Sequence, residues 1–84
     1  MKEIIIVTGA SSGMGREFAM QIEKKYQVDE IWVIARRKER LESLKEKLQT
    51  KVKIFALDLT QKESFEIIQE ALFQEKPRVK ALIN

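Results

Sequence analysis

The sequence predicts an α/β fold: a parallel β-sheet built in the order β-α-β-α-β-α-β. Three observations predict it. Four short apolar runs rich in β-branched residues recur along the chain, three segments between them carry apolar residues at helical spacing, and a glycine-rich turn joins the first run to the first such segment. Strands alternating with helices of this length imply right-handed crossovers and a parallel sheet.

Each element follows from its own pattern. Ile4-Ile5-Ile6-Val7 is a continuous β-branched run, as suits a strand buried on both faces. After the glycines, Phe18, Ala19, Ile22 and Tyr26 form an apolar helical stripe, with Glu23, Lys24 and Lys25 between them. Ile31-Trp32-Val33-Ile34-Ala35 reads as a second buried strand. Leu41, Leu44 and Leu48 mark the buried stripe of a second helix, and Glu39, Glu42, Lys45 and Glu46 its wet face. Val52, Ile54, Ala56 and Leu57 read as a third strand. Thr60 and Glu63 have capping-box spacing, so a third helix is expected to start there, with Phe65, Ile68 and Leu72 inward and Pro77 as its stop. Val79 to Ile83 completes the set.

Composition narrows the function classes. A chain of 84 residues allows one small domain, residues 1–84, and a hydrophobic share of 44% suits a globular one. There is no cysteine and no histidine, which removes disulfides, the usual zinc ligands and the commonest general base; no metal site is expected. No apolar run approaches the ~20 residues of a membrane span, and the start lacks a signal-peptide pattern, so no membrane partner and a cytoplasmic location are expected. The net charge of +3 favours phosphate-bearing ligands without amounting to a nucleic-acid signature.

The glycine turn carries the chemistry. Thr8-Gly9-Ala10-Ser11-Ser12-Gly13-Met14-Gly15 lies between a buried strand and an amphipathic helix, the context that gives such a motif meaning. Gly9 permits a sharp turn off the strand, Gly13 permits backbone to approach a pyrophosphate, and Gly15 permits close helix packing. The helix N-terminus offers unpaired N–H groups to phosphates, and the Ser11 and Ser12 hydroxyls can add donors. A Walker-type loop does not fit, because Arg16 stands where Lys-Ser/Thr would be needed. The same glycines would also serve an ordinary turn, which is the bland alternative.

The spacing Thr-Gly-x-x-x-Gly-x-Gly resembles the first fingerprint of the short-chain dehydrogenases/reductases, of classical type. Val33 to Arg37 resembles the end of that family's second strand, Ala56 to Thr60 its Asp-Leu/Val segment, and Ala81 to Asn84 the opening of its Asn-Asn-Ala-Gly segment. The likeness runs along essentially the whole chain, with four motifs in family order. It implies a Rossmann-type doubly wound sheet of strand order 3-2-1-4, a dinucleotide ligand, and an oxidoreductase parent that moves hydride between nicotinamide and a carbonyl or alcohol. The cofactor-binding residues it implies are Gly9, Ser11, Ser12, Gly13, Met14, Gly15, Arg36, Arg37, Asp58, Leu59 and Asn84. Asp58 would accept from the adenine amino group, Leu59 would supply backbone, and Asn84 would meet the ribose.

NADP is expected over NAD. An acidic residue at the end of the second strand binds a ribose 2′-hydroxyl, whereas arginine there grips a 2′-phosphate. This chain has Ala35, Arg36 and Arg37, with no acid until Glu39. Arg36 matches the family position; Arg37 is a second candidate that can also face solvent. The basic residue that some NADP-binding relatives carry before the second glycine is replaced by Ser12.

No catalytic residue can be carried over. The family's serine and Tyr-x-x-x-Lys lie beyond the fourth strand; Tyr26 is followed four residues later by Glu30 and is read as core or helix end. The chain is thus expected to be a truncated N-terminal portion, inactive alone. A stand-alone nucleotide-binding or structural module is the alternative, and an RNA-binding module using Arg36-Arg37-Lys38-Arg40 a weaker third. An open fourth-strand edge and a partly covered sheet face predict self-association.

Overall fold

A computed structural model of the chain describes residues 1–10 and 13–84. Seven elements follow one another: β1 (Glu3–Thr8), α1 (Gly13–Lys25), β2 (Glu30–Ala35), α2 (Lys38–Lys47), β3 (Lys51–Ala56), α3 (Lys62–Glu75) and β4 (Arg78–Ile83). The sheet order is β3-β2-β1-β4, with every neighbouring pair parallel, as the sequence predicts. The continuous β-branched runs form the two central strands. There both faces are covered and alternation is not needed.

Two apolar layers flank the sheet. Ile5, Val7, Ile31 and Val33 point to one side, where Ala19 of α1 and Leu41, Leu44 and Leu48 at α2 meet them. Ile4, Ile6, Trp32, Ile34 and Phe55 point to the other, against Ile68, Ala71 and Leu72 of α3. Full burial of one such aliphatic or aromatic side chain contributes about 1.5–3 kcal/mol, which makes these layers the main source of stability. Trp32 and Phe55 lie tilted, ring centres 5.2 Å apart. Tyr26 sits just past α1, half-buried against the first layer.

Several local expectations are corrected. Phe18 is 46% exposed and Phe65 54% exposed, although both lie on apolar stripes. On α1 the small Ala19 takes the inward position and brings the helix close, which leaves Phe18 facing the ends of the strands. On α3 the inward position of the first turn belongs to buried Ser64. In β3 the buried residues are Val52 and Phe55, while Ile54 is half-buried, Ala56 is exposed and Leu57 lies past the strand. The capping box does not form. Gln61 is the N-cap of α3 without a side-chain cap bond, and the Thr60 hydroxyl instead donates to Asp58 Oδ1 at 2.7 Å. A short-range Asp–Thr turn outcompetes the cap for the same hydroxyl. The other end of α3 behaves as expected: Lys76 turns left-handed (φ 46°), its N–H donates to the Leu72 carbonyl, and Pro77 follows.

At the starts of the strands lies a chain of alternating charges. Buried Glu30 accepts from Trp32 Nε1 at 3.0 Å and pairs with Lys2 at 3.1 Å and Lys51 at 3.4 Å. Lys2 and Lys53 both pair with Glu75 near the end of α3, and the Lys53 ammonium lies 5.1 Å from the Trp32 ring centre. Burial pushes the Glu30 carboxyl up, but the bonds from Trp32 and Lys2, with Lys51 behind them, outweigh it and hold it below the ordinary 4.5. The Lys2 and Lys53 contacts hold Glu75 below that value too.

Candidate functional site

The other end of the sheet, where the parallel strands finish, is shaped by backbone. Gly9 follows β1 with φ +68°, a left-handed turn that an L side chain resists, and its N–H donates to the Ile34 carbonyl at 2.9 Å. The chain therefore leaves β1 abruptly and enters α1 at Gly13. A Cβ at Gly15 would lie 2.1 Å from the Gly9 carbonyl oxygen, so only glycine lets the first turn of α1 sit on the loop. A Cβ at Gly13 would meet nothing within 4 Å, which leaves open space beside the helix N-terminus. The first turn of α1 contains no acidic residue to occupy those N–H groups.

Beyond β2 and β3 the loops diverge. The Leu57 N–H donates to the Ala35 carbonyl at 2.8 Å, which prolongs the pairing by one step before the chains part. Between them opens a groove of about 460 Å³, lined by Gly9, Ile34 and Ala35, by Arg36 on one flank and by residues 57–60 on the other. Arg36 is exposed. The Thr60 hydroxyl (2.7 Å) and backbone N–H (2.9 Å) both donate to Asp58 Oδ1 and hold that carboxyl below its usual range, with a smaller contribution from the Arg36 charge. A cavity of about 170 Å³ adjoins Gly9 and is lined also by Met14, Gly15, Phe18 and Asn84.

The structure thus brings Gly9, Arg36, Asp58 and Leu59 around one groove, and Met14, Gly15 and Asn84 around its neighbour. Gly13 stands at the start of α1 outside both linings. Arg37 is the exposed N-cap of α2 and lines neither space. Ser11 and Ser12 lie outside the described residues. Besides the strand-end residues Ile34, Ala35, Leu57 and Ile83, the lining includes Thr8, Thr60 and Phe18, which were not expected at the site. Thr8 donates to the Asn84 side-chain oxygen at 2.6 Å and ties the ends of β1 and β4 together; its place in the Thr-Gly motif was the available signal. Thr60 was assigned to the helix cap, and Phe18 to the core. Arg16 turns away toward α2, where its guanidinium donates to Ser43 Oγ at 3.3 Å. Among the described residues, no helix is long and apolar enough to cross a membrane, and no group of three or more His, Cys, Asp or Glu is placed to hold a metal ion.

A family description, short chain dehydrogenase, matches residues 3–84. The chain is similar to sulfoacetaldehyde reductase 2 of Chromohalobacter salexigens, with 33% identity over 100% of this chain and 33% of that protein. An 11-beta-hydroxysteroid dehydrogenase of Pinus massoniana is 30% identical over 98% of this chain and 24% of its own length. Among solved structures, L-sorbose reductase from Gluconobacter frateurii, complexed with NADPH and L-sorbose, aligns with a TM-score of 0.78 and 29% identity, covering 99% of this chain and 32% of that one. An NADPH-dependent reductase involved in bacilysin biosynthesis shares the fold at a TM-score of 0.83 and 24% identity, over 100% of this chain and 34% of that one. The chain therefore spans a third or less of the length of the two enzymes it resembles in sequence. With the fold, the glycine turn and a family match from Glu3 to Asn84 in agreement, the chain belongs to the short-chain dehydrogenase family of oxidoreductases.

Proposed function

We propose that this chain forms the adenosine side of a dinucleotide site whose cofactor is NADP, within an oxidoreductase that transfers hydride between nicotinamide and a carbonyl or alcohol. One observation carries the reading: Arg36 flanks the same groove as Gly9 and Asp58, at a strand end that ends in Ala35 instead of an acid. The fit is physical. Open space at Gly13 and a first turn of α1 without acidic residues suit the pyrophosphate, and a groove of about 460 Å³ suits the adenosine. Arg36 would pair with the 2′-phosphate, Asp58 would accept from the adenine amino group with Leu59 beside it, and Met14, Gly15 and Asn84 would border the ribose and phosphates. Arg37 adds long-range attraction from the start of α2. The bound cofactor supplies the hydride chemistry. The residues of this chain bind and orient it, and reduction of substrate needs groups beyond Asn84, so the chain alone is expected to be inactive.

Calorimetric titration with 2′,5′-ADP and with 5′-ADP at low salt tests this. Charge-assisted bonds from Arg36 contribute about 1.5–3 kcal/mol, so the 2′-phosphate form is expected to bind roughly ten- to a hundredfold more tightly, an advantage lost in Arg36→Ala. Equal binding of both ligands would remove the NADP assignment and keep the dinucleotide site. Absence of binding to the folded chain would overturn the site itself.

The chain is also expected to associate with a second copy through the α3 side of β4. Val79 (43%), Leu82 (64%) and Phe65 (54%) are exposed there. The β1–β4 register slips between Ile4 and Ile5, which leaves Lys80 as an extra residue on the outer strand. A bulge with a lysine protects an edge from ladder pairing, so the face is the better contact. Light scattering should show a dimer at high concentration and a monomer for Leu82→Lys; a monomeric parent chain would refute the contact.

A further inference from the structure

One corner of the groove is more tightly organised than a passive wall requires. Asp58 is fixed at three points. Thr60 donates twice to Oδ1, from its backbone N–H and its hydroxyl, at 2.9 and 2.7 Å. The Ser64 hydroxyl donates to the Asp58 backbone carbonyl at 2.6 Å. Ser64 is the one buried residue of α3, 5% exposed, in a helix whose inward side otherwise meets the sheet through Ile68, Ala71 and Leu72. A hydroxyl at that place is hard to explain by packing, because burying it costs free energy unless it is bonded. Its bond ties the first turn of α3 to the loop that carries Asp58.

The two threonine donors act on the same oxygen. Among the described residues Oδ2 has no such donor, so the carboxylate keeps one acceptor for the groove and cannot rotate without breaking two bonds. A carboxylate held in this way is selective. It attracts an exocyclic amino group and repels a carbonyl oxygen at the same position of a purine.

We propose that Thr60 and Ser64 are positioning residues for base recognition: Thr60 pins Asp58 by Oδ1 so that Oδ2 accepts from a 6-amino purine, and Ser64 fixes the loop backbone beneath it. The inference rests on the adenosine-site reading and deepens it, since it makes adenine preference a property of the Asp58–Thr60–Ser64 unit. Arg36, on the opposite flank, governs the ribose phosphate and plays no part in choosing the base.

The test uses the whole chain and two ligands that differ at the purine 6-position and in the N1 proton that accompanies it, 5′-ADP and 5′-IDP, titrated by calorimetry. The wild-type chain is expected to favour ADP roughly tenfold, the scale of one hydrogen bond to a charged group. Thr60→Ala keeps the backbone donor, drops the hydroxyl and should bring the ratio toward one. Thr60→Ser restores the hydroxyl and should restore the ratio, which a general loss of packing would not do. Ser64→Ala should lower ADP affinity and the ratio together while Thr60→Ser does not, so a poorly folding variant at one position leaves the other as a test. An unchanged ADP/IDP ratio in folded Thr60→Ala, with ADP still bound, would overturn the positioning role and leave the adenosine site standing. Equal wild-type binding of ADP and IDP would overturn base recognition by Asp58. Absence of ADP binding to the folded wild-type chain would remove both readings at once.

Discussion

Replacing Gly15 with alanine places a methyl group where the structure has no room. Its Cβ would lie 2.1 Å from the Gly9 carbonyl oxygen, 2.9 Å from the Gly9 carbonyl carbon and 3.1 Å from Ala10 Cα. Weak carbon–oxygen contacts settle near about 3.3–3.6 Å, so the overlap exceeds roughly 1 Å, and the obstacles are backbone atoms that cannot swing aside. Overpacking of this kind costs about 1–3 kcal/mol or more. Against it stands the gain of about 1 kcal/mol that alanine has over glycine inside a helix. At 2.1 Å from a backbone oxygen the cost lies at the upper end of that range, so the clash wins and the net loss is on the order of 1–2 kcal/mol. For a domain of this size each kcal/mol moves the melting temperature by roughly 4–8 °C, so a drop of about 5–15 °C is expected. Trp32, fully buried in the sheet, provides the fluorescence signal for urea and thermal unfolding. Gly13→Ala is the matched control: its methyl group meets nothing within 4 Å, so stability should hold or rise slightly while phosphate binding falls. A Gly15→Ala chain as stable as the wild type would show that the loop yields freely and that the close approach of α1 does not depend on glycine.

Other outcomes follow from the core and the charges. Leu44→Ala, in the layer between α2 and the sheet, should cost about 2–5 kcal/mol in urea unfolding, a large share of the stability of so small a domain. Acid should destabilise the fold: the Glu30 and Glu75 carboxyls lie below 4.5 when folded, so the unfolded chain binds protons first and stability present above about that pH is lost as pH falls through the folded values. Glu30→Gln should flatten that loss in a series of urea midpoints against pH, and an unchanged slope would argue against the network. Lys2, raised by its Glu75 bond despite some desolvation, contributes stability that is present below 10.5 and lost as pH rises above it, visible as a falling midpoint in strong alkali.

The topology was legible because the signals were long and mutually consistent. Ile4 to Val7 and Ile31 to Ala35 are too β-branched and too apolar for exposed strands, and the leucine stripe of α2 has one sensible face. Gly9 and Gly15 were legible for a different reason: each is forced by backbone geometry, one by its positive φ and the other by contact with a carbonyl. What failed was the direction of single aromatics. Phe18 and Phe65 follow helical periodicity as well as any core residue, yet Phe18 faces the ends of β1 and β4 and Phe65 borders a cavity over Ile6 and Ile34, and periodicity does not report how closely a helix approaches the sheet. Thr60 failed because two local hydrogen-bonding patterns compete for one hydroxyl, and the choice depends on the backbone of Asp58. The joining of Arg36 and Asp58 across one groove depends on β2 and β3 being neighbours, which the strand order supplies and the local sequence does not.

The alternating charges at the starts of the strands have a consequence for how this sequence can drift. Lys51, Glu30, Lys2, Glu75 and Lys53 form a line in which each interior member serves two neighbours. Neutralising Glu75 leaves Lys53 against the Trp32 ring without its carboxylate and leaves Lys2 with Glu30 alone. Loss of a partner is penalised most at buried Glu30 and little at exposed Lys51, whereas a paired replacement of an acid and a lysine by apolar residues of similar bulk can be close to neutral. Change at this end of the molecule is expected to arrive in couples, and a library randomised at Glu30, Lys2 and Glu75 together should yield folded chains in which the identities at these positions are correlated.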